Sequence, residues 1–182
     1  MEKYLHVLAL LDDASTKKMI NTSNAITSKL EDKGIIRDIE YAGLPPHITL
    51  PHLTREPGNK NCEKNFLAQI NKNKTKPPEV VFNSIKVSVS GNILFVPDDN
   101  SKILLREFLD RLYGNIPFDK ENWNPHATIF TIENKSKIVF NYAMAIIDGD
   151  IKNFSGIKSK IEKICLCYFV KKMDVFGSID WK

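Results

Sequence analysis

Cysteine is scarce in this chain. Three occur among 182 residues, an odd number that excludes a fully paired disulfide framework, and none stands in the C-x-x-C spacing of a zinc or redox site. Cys165 and Cys167 sit two apart in the apolar run Ile164 to Val170, where a strand would turn both to one face. A reducing, cytoplasmic setting is expected. Long hydrophobic runs are missing as well. None approaches the roughly 20 residues of a membrane helix. The apolar opening, Tyr4 to Leu11, is short and ends on Asp12-Asp13, unlike a secretion signal. Neither charge sign dominates: 26 Lys+Arg against 22 Asp+Glu give a net +4, which permits an anionic ligand without demanding one. Most of the cations are lysines, which suit a solvated surface better than a bidentate clamp. The chain also lacks the G-x-S-x-G elbow of serine hydrolases and the H-E-x-x-H pair of zinc enzymes.

What is present reads as an ordinary soluble globular composition, 42% hydrophobic and 26% charged, with length for a real core. Tyr4 to Leu11 is a buried strand. Asp12-Asp13 start a helix whose inner face carries Met19, Ile26 and Leu30, with Gly34 as its stop. Ile35 to Ile39 and His47 to Leu50 are extended around a bend at Gly43 to Pro46. Phe66, Leu67 and Ile70 mark a second helix. Glu79 to Val89 alternates as a strand and turns through Ser90-Gly91-Asn92 into Ile93 to Val96. Leu104, Leu105, Phe108, Leu109 and Leu112 then give a helix ending at Gly114. A strand over His126 to Ile132, a helix marked by Ile138, Val139, Tyr142, Ala143 and Ile146, and strands around Ile161 to Val170 and Val175 to Trp181 complete the chain.

The second half repeats the order of the first. "LALLDDASTK" and "NILFVPDDNSK" are each a strand, two aspartates and a helix start. The expected fold is therefore α+β and internally duplicated. It is a single domain over 1–182 made of two pseudo-symmetric lobes, roughly 1–90 and 91–182, with strands exchanged between them. Each lobe is an antiparallel sheet with flanking helices.

Two of the four histidines share one frame: Pro46-His47-Ile48-Thr49-Leu50 and Pro125-His126-Ala127-Thr128-Ile129. A chance match to that frame is expected on the order of once per thousand chains of this composition, and here it occurs at equivalent places in the repeat. In a strand, His47 and Thr49 point one way while Ile48 and Leu50 point into a core; His126 and Thr128 repeat the arrangement. Strands facing each other across a central cleft would bring two imidazoles and two hydroxyls together. A neutral imidazole removes a proton from an attacking hydroxyl or water, and a protonated one supplies a proton to the leaving oxygen. Hydroxyls donate to oxygens on which charge builds. Alternation places His52 opposite to His47, at the surface. His6 is a core or cleft-edge residue. Asp12-Asp13 and Asp98-Asp99 read as helix caps rather than metal ligands.

With two H-x-T motifs on strands of a duplicated lobe, the chain resembles the 2H phosphoesterase superfamily, which includes 2′-5′ RNA ligase-like proteins and 2′,3′-cyclic nucleotide phosphodiesterases. The resemblance covers nearly the whole chain by element order, and the motifs alone carry it at residue level. It implies metal-independent hydrolysis of a 2′,3′-cyclic phosphate or a 2′-5′ phosphodiester, with reversible ligation as the same chemistry run on a ribose hydroxyl. The implied catalytic residues are His47, Thr49, His126 and Thr128. No cofactor and no metal are implied; the substrates are RNA ends or cyclic and 2′-5′ nucleotides, met by a monomer with no membrane attachment. Tyr168 and Lys171, near the cleft on such a fold, are candidates for base stacking and phosphate attraction. The alternative is a catalytically weak RNA or nucleotide binder that uses the same cleft.

Overall fold

Residues 5–31, 45–51, 60–88, 92–115, 122–131, 137–169 and 173–181 are described by a computed structural model of the chain. Among them, the elements run β1 (Leu5–Leu11), α1 (Asp13–Glu31), β2 (His47–Leu50), α2 (Lys60–Lys72), β3 (Glu79–Val87), β4 (Asn92–Pro97), α3 (Asp99–Tyr113), β5 (Ala127–Thr131), α4 (Lys137–Lys152), β6 (Ile157–Phe169) and β7 (Met173–Asp180). The expected elements that fall on described residues are present. The stop at Gly34, the stretch Ile35–Ile39, the bend at Gly43-Leu44, His52, the turn residues Ser90-Gly91 and Lys171 lie outside the described residues.

The helices start and stop where their end chemistry dictates. Ser15 N–H donates to the Asp12 carboxylate at 2.9 Å, and Ser101 N–H donates to Asp98 at 2.7 Å, so both helices after the repeated aspartates carry the same cap. α3 ends at Gly114, whose φ of 56° is open to glycine and whose N–H closes onto the Asp110 carbonyl. Met19, Ile26 and Leu30 of α1 and Leu105, Phe108, Leu109 and Leu112 of α3 are buried, as are Ala143 and Ile147 of α4, whereas Tyr142 is exposed. These side chains pack on one face of the strands, against Val7, Ala9, Ile48, Leu50, Phe95, Ala127, Ile164 and Leu166. Burial of Ile48 and Leu50 alone stabilises the fold by about 1.5–3 kcal/mol each.

The strands do not form two separate sheets. All seven described strands join one antiparallel sheet in the order β1-β2-β5-β4-β3-β6-β7, and β6 also pairs with β1, which closes the first six into a ring. The motif strands consequently lie side by side, with Ile48 paired to Ala127, rather than on opposite walls of a cleft. β6 begins at Ile157, four residues before its expected start, because Ile157 to Lys160 bond to Phe82 to Glu79 of β3.

The pairing is symmetric in detail. Exchanging β1, β2 and β3 for β4, β5 and β6 leaves the ring's set of neighbours unchanged. Registers follow suit. Leu8 pairs with Thr49 as Leu94 pairs with Thr128, and Ala9 with Ile48 as Phe95 with Ala127. Leu10 pairs with Lys163 and Leu11 with Ile161 across a bulge; Val96 pairs with Ser84 and Pro97 with Phe82 across the matching bulge. Asp12 N–H donates to Lys160 O, and Asp98 N–H to Val81 O, at 2.9 and 2.8 Å.

Candidate active site

Alternation in β2 is as expected: His47 and Thr49 are partly exposed, and Ile48 and Leu50 are buried. Around β5, His126 and Thr128 are partly exposed and Ala127 is buried. Because β2 and β5 run antiparallel with Ile48 opposite Ala127, the next positions put His47 across from Thr128 and Thr49 across from His126. All four predicted residues share the face turned away from the helices. Each histidine position is opposite the threonine position of the other motif.

The two rings are anchored alike. His47 Nδ1 lies 2.9 Å from the Pro45 carbonyl and His126 Nδ1 lies 2.8 Å from the Asn124 carbonyl. A carbonyl only accepts, so Nδ1 carries the proton in both and Nε2 is the nitrogen that exchanges protons. Burial pushes the His47 imidazole below the ordinary histidine range, and a positive charge on His126 pushes it the same way, against the raising effect of the Pro45 carbonyl. That Coulombic coupling follows from the proximity of the two rings.

Side chains from the second half hold β2 in place. Trp123, two residues before Pro125, donates its indole N–H to the Thr49 carbonyl at 3.0 Å, and the Tyr113 hydroxyl donates to the Pro51 carbonyl at 3.1 Å. Trp123 therefore ties the approach to one motif to the strand of the other. Sequence reading passed over both residues. The available signal was a tryptophan, one of two in the chain, just ahead of P-H-x-T.

Of the remaining candidates, Tyr168 occupies a backbone position paired with Leu5 and Asp174. His6 lies in β1 on the motif face, paired with Cys167, at the edge of the site and partly exposed. Cys165 and Cys167 share that face, as the C-x-C spacing predicts. Burial pushes the Cys165 thiol up and the Cys167 thiol up to about 11, which keeps both protonated at neutral pH. Among the described residues no group of three or more His, Cys, Asp or Glu is arranged to hold a metal ion, and no helix is long and apolar enough to cross a membrane.

No protein-family model matches the sequence, and no curated protein matches it. The fold has clear counterparts. E. coli LigT complexed with phosphate superposes with a TM-score of 0.59 at 12% identity, over 99% of this chain and 98% of that one. E. coli LigT complexed with NADP+ gives 0.58 at 10%, over 98% and 97%. Kluyveromyces marxianus Usb1 gives 0.50 at 9%, over 98% and 97%. The chain shares its fold with LigT along nearly its full length, the kind of full-length likeness that the resemblance carried by the two motifs implies.

Proposed function

We propose that this protein is a metal-independent phosphodiesterase that opens 2′,3′-cyclic phosphates, or cleaves 2′-5′ phosphodiesters, by paired-histidine catalysis. The observation that carries the reading is the matched anchoring of His47 and His126 on adjacent strands, each ring fixed through Nδ1 and each histidine position opposite the threonine position of the other motif. His47, whose lowered basicity favours the neutral imidazole, takes the proton from the attacking water through Nε2. The water oxygen bonds to phosphorus, the bond from phosphorus to the ribose 3′ oxygen breaks, and the His126 imidazolium gives that oxygen its proton. A 2′-phosphate and a 3′-hydroxyl result. Thr49 and Thr128 donate to the non-bridging oxygens, where charge grows in the transition state. A ribose hydroxyl in place of water turns the same steps into end joining. The LigT structures with NADP+ and with phosphate fit a cleft that accepts nucleotides and phosphate groups.

The register symmetry supports reading the chain as a duplicated β-α-β-α-β unit, with halves near 1–90 and 91–182 that exchange strands. One copy supplies the base and the other the acid.

The test is incubation with 2′,3′-cyclic nucleotides in excess EDTA. Release of the 2′-monophosphate is expected. Activity that EDTA abolishes would transfer the chemistry to a metal. Nucleotide binding with no turnover would leave the protein a binder.

A further inference from the structure

The backbone symmetry of the site is broken by its side chains, and the break is directional. Crossing the motif face through His47, the register places in one row Lys163, Leu10, His47, Thr128, Leu94 and Lys86. The symmetric row through His126 reads Cys165, Leu8, Thr49, His126, Val96 and Ser84. The first row carries a lysine on β6 and another on β3, and beyond the β6 lysine it meets Asp180 on β7. The second ends in a serine and a buried cysteine. Exposure differs in the same sense. Leu10 and Leu94 are partly exposed and Lys86 is exposed, whereas Leu8, Val96 and Cys165 are buried. One row of the pair is therefore the more open to solvent and carries a lysine on each flank, the β6 one beside Asp180.

We propose that Lys86 and Lys163 are phosphate-binding subsites that seat a ribo-oligonucleotide along the His47 row, one flank of the reacting phosphodiester held by each lysine. The inference rests on the proposed phosphoesterase reading and narrows its substrate. Each lysine lies two strands from the motif pair, about 10 Å at the usual strand spacing, which its flexible four-carbon stem shortens. A cyclic mononucleotide carries a single phosphate, which the histidines and threonines take, so it brings no flanking phosphate to either lysine. A chain ending in a cyclic phosphate extends to one side only. An internal linkage with nucleotides on both sides engages both. Lys163 lies 3.4 Å from Asp180, with both side chains well exposed, so an incoming phosphate has only a loose partner to displace. Lys86 exerts a weak pull on the exposed Asp99.

The probe is a 2′-5′-linked tetranucleotide made with 3′-deoxyribose, which lacks the hydroxyl that would attack its own linkage. Binding is followed by fluorescence anisotropy across a salt series. Lys86→Ser and Lys163→Ser are each expected to flatten the slope of log K against log salt by about 0.7, the share of one phosphate contact on a single strand. The double variant should lose about twice that, and Asp180→Asn, which frees Lys163, should tighten binding. Hydrolysis of a cyclic mononucleotide by the lysine variants should stay at the wild-type rate. Unchanged affinity and slope in both lysine variants, with melting temperatures kept, would overturn the proposal. Two failures are distinguishable. Cyclic mononucleotide turnover with lysine-independent oligonucleotide binding sinks the subsites and spares the chemistry. Lysine-dependent binding without turnover of any substrate does the reverse.

Discussion

The two halves of the site share a backbone and differ in their surroundings. Both histidines donate from Nδ1 to the carbonyl two residues back, and both threonines meet a leucine of the neighbouring strand, Leu8 or Leu94. Around that frame, Leu10 is replaced by Val96, Lys163 by Ser84, and Cys165 by Lys86. The comparison teaches a division of labour. In the proposed mechanism, symmetry would deliver two equivalent proton-transfer groups to one phosphorus, and asymmetry would make one the base and give the substrate a direction. Each prediction below removes one part of the shared frame or one part of the difference.

The largest effect comes from breaking the shared part. His47→Ala and His126→Ala are each expected to lower kcat on a 2′,3′-cyclic nucleotide by roughly 100- to 10,000-fold, the span of one acid–base group. In the proposed mechanism the rings act in one step, so the double variant should fall little further than either single one. Steady-state kinetics of the three proteins decide this, and near-full activity in either single variant would sink the paired mechanism.

A smaller effect sharpens the difference. Burial, reinforced by the charge of His126, depresses His47 basicity, so the base should stay neutral below the usual histidine midpoint of about 6.5. The acid limb of kcat/KM is expected below that pH, with an NMR titration of the His47 ring showing the same midpoint. In His126→Ala the His47 midpoint should rise, because a neighbouring positive charge is gone. Stability follows the same sign. As pH falls through about 6.5, the unfolded chain takes up a proton that folded His47 resists, so acid favours unfolding until the folded ring titrates at its lower pKa. An upward-shifted His47 midpoint in the wild type would contradict the assigned base.

Much of this frame was legible in the sequence, and the part that was not has a physical cause. Alternation in His47 to Leu50 fixes which side chains share the face turned away from the helices, and the repeated Asp-Asp-x-Ser fixes two helix starts, because both depend on neighbours within a few residues. Strand partners do not. Nothing local in β6 announces that Lys163 pairs with Leu10 or that Ile157 to Lys160 pair with β3. Reading the motifs on opposing walls came from assigning each half its own sheet, whereas β3 leaves its half to pair with β4 and β6. The same blindness hid Lys86, Lys163 and Trp123. Their place at the site depends on pairings between distant segments, and each alone looks like an ordinary surface or packing residue.

The smallest effect separates two caps that share a motif but not an environment. The Asp12 carboxylate accepts from Ser15 N–H at 2.9 Å, Ser15 Oγ at 2.9 Å, Ser159 Oγ at 3.1 Å and Lys160 N–H at 2.7 Å, which joins α1 to β6. Asp98 receives the capping N–H of Ser101, while the Ser101 hydroxyl accepts from Val81 N–H at 2.9 Å. Burial pushes the Asp12 carboxyl up, but the Lys160 and Ser15 backbone N–H groups and the two serine hydroxyls outweigh it and hold the carboxyl below its ordinary value. Asp98→Ala is expected to cost about 1 kcal/mol, the usual worth of a cap. Asp12→Ala should cost about 2 kcal/mol, because Lys160 N–H and Ser159 also lose an acceptor. The Asp12 contribution is present above the unfolded carboxyl pKa and fades as pH falls through the folded one. Urea denaturation at pH 7 and pH 3 reads both quantities. The gap between the two variants should narrow from pH 7 to pH 3, and equal costs at pH 7 would mean that the additional Asp12 hydrogen bonds contribute nothing to stability.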